Sequence, residues 1–330
     1  MPALSHLHGL QRGALAWGAD TRARITLLGP DARTLLHRLS TQHVAELPAG
    51  AGRLNALLTD KGRFVDLVFH LDRGDEGVLL VGGAGRGAAL MAWLDRYLFT
   101  EKVELLDRSA TGSCAELAGA GAPAIAEALA VGAAALAPWA FVEEGGRLVV
   151  RAVDRVDDQG ARVPAFVVVD LERGALLDAL TAAGATRASP EDAEALRIAA
   201  GVPGEGGELV EAMNPLDLAL HDAIHWAKGC YIGQEVIARL DTYAKQGRRV
   251  LGVVLDEPSR ARTRVGDAVV LDDKVVGTVT SVSPRWNGAM PSALAELRGP
   301  APESAVTLRC ADGPVTGTLV ERAAAQRPHD

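Results

Sequence analysis

Past residue 245 the chain changes character. Val250 to Leu255, Ala268 to Leu271, Val275 to Val282, Ala305 to Cys310 and Thr316 to Val320 are short β runs, punctuated by Gly, Pro and Asp. No long helical period lies between them. Five or six short strands at this spacing bury an apolar face by closing on one another, so a small β-barrel is expected. Pro284 to Pro302 reads as a long loop with a helical piece at Ser292 to Leu297.

Upstream the pattern mixes helix and strand. Ile25 to Leu28 reads as a strand, and Gly29-Pro30-Asp31-Ala32 opens a helix whose Leu35, Leu36 and Leu39 recur at helical spacing. Leu54 to Leu58 and Phe64 to Leu71 are expected to pair around the turn Asp60-Lys61-Gly62-Arg63. Val78 to Val81 is a further strand, followed by a glycine-rich loop and a helix from about Ala88 to Leu98. Pro123 to Leu136 reads as a helix interrupted by Gly132. Arg147 to Val153 and Ala165 to Leu171 read as strands, and Leu176 to Ala183 as a short helix. Ser189-Pro190-Glu191-Asp192 starts another helix with a near capping box, and Gly201 suits its left-handed end. The expected fold class is α+β with a C-terminal β-barrel. The expected divisions are residues 1–110 and 111–244, two α+β lobes, and 245–330, the barrel.

Composition narrows the function. Hydrophobic residues make up 48% of the 330-residue chain, enough for large cores, so wholesale disorder is excluded. The net charge of −8 argues against a general nucleic-acid or anionic-membrane binder. The longest uncharged apolar stretch, Ala128 to Val142, is too short for a spanning helix, which needs about 20 residues. The N-terminus shows no apolar signal stretch, and Cys114, Cys230 and Cys310 are sparse and far apart. A cytoplasmic, reducing setting without disulfides is expected.

The most informative segment is Lys228-Gly229-Cys230-Tyr231-Ile232-Gly233-Gln234-Glu235, with Arg239 after it. Two glycines let the backbone turn sharply around a thiol and a phenol. A neighbouring ammonium or a helix starting near Gly233 would favour the thiolate. The alternative is a small buried cysteine beside a turn.

This segment resembles the K-G-C-Y-x-G-Q-E signature of the YgfZ family, folate-binding proteins related to the aminomethyltransferase (T-protein) of the glycine cleavage system. Ile25 to Ala32, the turn Asp60 to Arg63, Leu196-Arg197-Ile198 to Pro203 and Asn214-Pro215-Leu216 resemble further family segments, although Asp217 replaces a Glu. The resemblance implies a three-lobed body around a folate-binding cavity, with the cysteine facing that region. It implies tetrahydrofolate or a derivative as cofactor and a role supporting iron–sulfur enzymes, including tRNA-modifying ones, as transient partners. Direct contact with nucleic acid or membrane is not expected. Cys230 and Asp66 are the candidate chemical groups. Lys228, Tyr231, Gly233, Gln234, Glu235, Arg239 and Arg249 are the candidate folate contacts. Three scattered thiols fall short of the four that usually hold a cluster, so Cys230 supplies at most one ligand, or acts as a redox or nucleophilic thiol.

The chain departs from the aminomethyltransferase pattern. Ala199 stands where a pterin-binding Glu is found, Leu67 follows Asp66 in place of a second acid, and Gly82 replaces an asparagine. Losing a carboxylate weakens that mode of reading a pterin, so a folate-dependent aminomethyl transfer is the alternative function. Asp66 is either a functional acid or a strand-end residue bonding a turn. Three other features carry less. His221 and His225 would share one face if helical, but no third metal ligand follows, and no metal site is expected. Gly82 to Gly87 lacks the dinucleotide spacing. Lys245, Arg248 and Arg249, with Arg239, form a basic cluster that would suit an anionic folate tail or be ordinary surface charge.

Overall fold

A computed structural model describes residues 5–172, 174–242, 247–299 and 302–324, with side chains from residue 9 onward. It contains two large sheets packed face to face, a two-stranded hairpin of Arg155–Val156 with Arg162–Val163, and a closed barrel. The first sheet has the order Gly52–Leu58, Phe64–Asp72, Val78–Ala84, Arg22–Leu28, Glu104–Asp107, antiparallel throughout. The second runs Thr186–Arg187, Leu15–Gly18, Ser113–Ala118, Ala165–Asp170, Arg147–Arg151, Phe141–Glu144. The early strand Leu15–Gly18 thus lies inside the second sheet.

Strand alternation explains the layering. Leu54, Phe69, Leu71, Leu79 and Val81 point inward and share a core with Val150, Val167 and Val169 of the second sheet. Leu57, Val68, Val78 and Leu80 point outward, where the helices Ala32–Leu39 and Gly87–Asp95 cover them with Leu35, Leu36, Leu90 and Leu94. The outer face of the second sheet is covered in the same way by Ala122–Leu129 and Leu176–Ala182. The alternation also assigns Asp66 and His70 to the helix-covered face and Leu67 and Phe69 to the inner one.

The helix Pro190–Ala200 starts on a full capping box, Ser189 with Asp192, and ends on Gly201 at φ 69°, as its sequence demands. The expected helix Pro123 to Leu136 is shorter, Ala122–Leu129, and Gly132 at φ 89° separates it from a single 3₁₀ turn at Ala133–Ala135.

The barrel is closed by Arg249–Val254, Ala293–Leu297, Lys274–Val282, Ala268–Leu271, Ala305–Cys310 and Gly313–Val320. One expectation is corrected here. Ser292 to Leu297 contains a strand, Ala293–Leu297, paired on both sides, with Leu294 and Leu297 wholly buried. Without it the barrel would have two open edges, and closure overrides the helical preference of Ala, Leu and Glu. No helix among the described residues is long and apolar enough to cross a membrane.

Candidate functional site

The inner faces of the two sheets do not fill the space between them. A cavity of about 370 Å³ remains, walled by Trp17, Leu54, Leu67, Phe69, Trp139 and Val167 and edged by Arg22, Glu116, Arg155, Arg197 and Glu205. Phe69 and Trp139 lie 5.8 Å apart between ring centroids. A buried ion bridge crosses one side: Glu116 accepts from Arg22 at 2.6 Å and from Arg155 at 2.8 Å. Burial works against the Glu116 charge, but the two guanidiniums win and hold its carboxyl below the usual range.

A second cavity, of about 580 Å³, adjoins the first, and the two share Leu67, Ala84, Glu205 and Leu209. Asp66 lines this second space with Arg86 and Trp93. Its Oδ1 accepts from the Gly83 N–H at 3.1 Å and the Leu67 N–H at 2.8 Å. Burial raises Asp66 to about 6 despite these donors and the charges of Arg86 and Arg22.

Glu205 reaches the junction on the loop after Gly201. Arg197 braces this loop by donating to the Val202 carbonyl at 2.6 Å and to Glu208 at 3.2 Å. Glu208, fully buried, accepts from the Gly204 N–H and from Thr280 and Ser281 of the barrel. Gly204 has no room for a side chain, since a Cβ would lie 2.6 Å from Arg197. Glu205 is an exposed residue, and its carboxyl rests on Gly83. Burial, then the charge of Asp66, raise it to about 7.

The signature segment lies elsewhere. Lys228 is buried, and its ammonium donates to the carbonyls of His37 and Ser40 at 2.6 Å and of Gln42 at 2.7 Å, at the C-terminal end of the helix Ala32–Leu39. These three carbonyls engage the ammonium that the sequence expectation placed beside the Cys230 thiol and on a folate. The Lys228 Nζ also lies 5.2 Å from the Tyr231 ring centroid. Gly233, at φ 84°, meets the turn Asp60 to Arg63: a Cβ there would lie 2.7 Å from the Thr59 carbonyl and 3.0 Å from the Gly62 Cα. Gln234 and Glu235 begin the helix Gln234–Thr242, on which Arg239 and Glu235 are exposed and 4.0 Å apart.

Cys230 is exposed, whereas Cys114 and Cys310 are buried. None of Lys228, Cys230, Tyr231, Gly233, Gln234, Glu235, Arg239 or Arg249 lines either cavity. The expectation that the cysteine faces the central cavity is therefore corrected. Gly233 docks the segment on a neighbouring turn, and the sulfur lies on the outer surface. Arg249 starts the first barrel strand, and Arg248 bonds Glu296 at 3.0 Å. Lys245 lies outside the described residues. His221 belongs to a three-residue 3₁₀ turn that ends before His225, so the two imidazoles share no helix face. Among the described residues no three metal-ligating groups converge.

An accessible thiol beside two sealed ones makes a direct prediction. In the folded protein Cys230 is expected to react with one equivalent of an aromatic disulfide reagent, and all three cysteines only after denaturation. Titration of released thiolate reads this, and two fast equivalents before unfolding would contradict it.

Residues 8–153 match the family model of the GCVT N-terminal domain. A chloroplastic protein of Arabidopsis thaliana, named a transferase, is 28% identical over 86% of this chain. The match spans 65% of that relative, just under two thirds of its length. An aminomethyltransferase of Rubrobacter xylanophilus is 29% identical over 78% of this chain and 68% of its own. Among solved structures, the glycine cleavage system aminomethyltransferase T of Bartonella henselae superposes with a TM-score of 0.81. It is 17% identical and covers 97% of this chain and 89% of its own. The fold is that of this aminomethyltransferase.

Sequence reading missed Glu205, Glu116, Arg22 and Arg155, which lie on separate strands and a loop and share no local motif. The one available signal was Glu205 itself, a lone acid in the Gly- and Pro-rich run Gly201 to Gly207.

Proposed function

We propose that this chain binds tetrahydrofolate or a derivative in its central cavity and serves as an accessory factor for iron–sulfur enzymes, including tRNA-modifying ones. The cavity is the observation that carries the folate reading. Trp17, Phe69 and Trp139 offer apolar walls for a flat ring, and Glu116 and Glu205 offer acceptors for ring N–H donors. A site of about 370 Å³ falls within the range of small-molecule pockets. Ala199, where the acid of the aminomethyltransferase pattern is missing, is buried in the core, so the acceptors for the ring come from other elements.

The exposed Cys230 supports the accessory role. A thiol on the outer surface suits an encounter with another macromolecule better than chemistry on a ligand enclosed between the sheets. Isothermal titration with tetrahydrofolate is expected to give saturable binding that Trp139→Ala weakens by about 10-fold, the loss of roughly one stacked contact. Cys230→Ala is expected to keep both the fold and this affinity while failing to restore iron–sulfur enzyme activity in cells lacking the protein. Full restoration by that variant would remove the assigned role.

A second reading is a folate-dependent one-carbon transfer of the aminomethyl type. It is favoured by Asp66, a carboxyl with raised proton affinity beside the cavity, and by the names of the relatives. Methylene-tetrahydrofolate formation from an aminomethylated lipoyl carrier tests it, and no turnover by folate-saturated protein excludes it.

A further inference from the structure

The two cavities meet at a ribbon of two glycines. Gly82 and Gly83 are consecutive in the strand Val78–Ala84, so their missing side chains would point to opposite faces of the sheet. On one face a Cβ at Gly82 would lie 2.8 Å from Asp66 Oδ2. On the other, a Cβ at Gly83 would lie 2.4 Å from Glu205 Oε1 and 2.6 Å from Oε2. Each carboxyl therefore occupies space that any other residue would fill, and only a strand's thickness separates them.

We propose that Glu205 is the acid–base group of the central cavity: Asp66, on the other side of the Gly82–Gly83 ribbon, keeps a proton on it by charge repulsion, and Glu205 donates that proton to a basic nitrogen of the ligand. This rests on the folate reading for the identity of the ligand. In the transfer one O–H bond breaks and one N–H bond forms, and the pair is left as two carboxylates beside a cationic nitrogen. Reversal returns the proton.

The surroundings explain why the pair keeps a proton and why a ligand would receive it. Asp66 is buried and accepts from the Gly83 N–H; the charge of Arg86 and, less, that of Arg22 favour its ionised form. Glu205 is acted on by the charges of Asp66, Arg22, Arg86 and Arg197. Of these cations, Arg22 is committed to Glu116, Arg197 to Glu194 and Glu208, and Arg86 donates to the Val65 carbonyl at 2.7 Å. With those arginines engaged, two neighbouring acids repel, and up to about pH 7 one keeps its proton. A ligand nitrogen that accepts the proton turns that repulsion into attraction for both carboxylates.

Calorimetric titration with tetrahydrofolate in buffers of different ionisation enthalpy reads the proton directly. At pH 8 the free pair is mostly ionised and the complex holds one proton, so binding is expected to take up close to one proton, about 0.8. Near pH 6, where the free pair already holds a proton or more, the uptake is expected to vanish or turn into a small release. Glu205→Gln should bind with uptake below about 0.3 at pH 8. Gly83→Ala should do the same with both carboxyls present, because its methyl displaces the Glu205 end. Binding by the wild type without uptake at pH 8, or unchanged uptake in both variants, overturns the proposal. Absence of binding overturns the folate reading instead.

Discussion

Lys228→Met is expected to lower stability by about 4 kcal/mol, measured by urea unfolding at pH 7. The Lys228 ammonium donates to three backbone carbonyls, those of His37, Ser40 and Gln42. These include orphan acceptors that a helix leaves at its C-terminus, where a cation also complements the dipole. Burial lowers the ammonium to about 8, so it is still charged at pH 7. Each buried acceptor stripped of its donor costs about 1–3 kcal/mol, and methionine fills the space without replacing a donor. The folate-contact alternative makes the opposite forecast, normal stability with lost affinity. Calorimetric titration of the folded variant with tetrahydrofolate is expected to give the wild-type affinity, and a stable protein that no longer binds would restore Lys228 to the ligand.

The signature is thereby two things at once. Its lysine and second glycine are a joint, tying the segment to the end of one helix and to the turn after Leu58. The Ile232 N–H adds a bond to the Arg38 carbonyl, and the Gln42 side chain donates to the Asp222 carbonyl. Cys230 rides on this joint and faces outward. A motif read along the chain cannot separate the residues that hold the motif in place from the one that it presents.

The same limit explains what the sequence disclosed. The barrel, the hairpin around Asp60 to Arg63 and the capped helix ending at Gly201 were legible because alternation, turn chemistry and capping are local. The strand Ala293–Leu297 was not, because its conformation is set by two partners distant in the chain. The central cavity was still less legible. Arg22 and Glu116 are 94 residues apart, and Arg155 joins them from 39 residues further on. Asp66 was found as a lone acid on a strand, but its partner Glu205 comes from a loop 139 positions later, fixed by Arg197, Glu208 and the barrel.

His70→Leu is expected to change the acid limb of stability by about 3 kcal/mol. His70 is wholly buried between the first sheet and its helices, and neither ring nitrogen has a hydrogen-bond partner. Burial lowers its imidazole to about 4; Asp72 opposes this, while Arg33, Arg53 and Lys228 reinforce it. An unfolded imidazole takes its proton near pH 6.5, so between about 6.5 and 4 the unfolded chain binds more protons and stability falls as pH falls. The shift is worth about 3 kcal/mol at 1.36 kcal/mol per pH unit. Asp66 acts in the opposite sense. Its folded-state value is raised from 3.8 to about 6, so the folded chain binds more protons in that window and gains up to about 3 kcal/mol as pH falls. The two contributions nearly cancel in the wild type, and its own acid limb conceals both. The leucine variant removes one of them. It is close in volume and removes two unpartnered buried polar atoms, so it should exceed the wild type modestly at pH 7.5 and by about 3 kcal/mol more at pH 4. Asp66→Asn should exceed the wild type by a similar amount at pH 7.5 and lose that margin at pH 4. Denaturant unfolding of the three proteins at both pH values reads these differences, and a His70→Leu margin that stays constant with pH would mean that the imidazole titrates as it does in the unfolded chain.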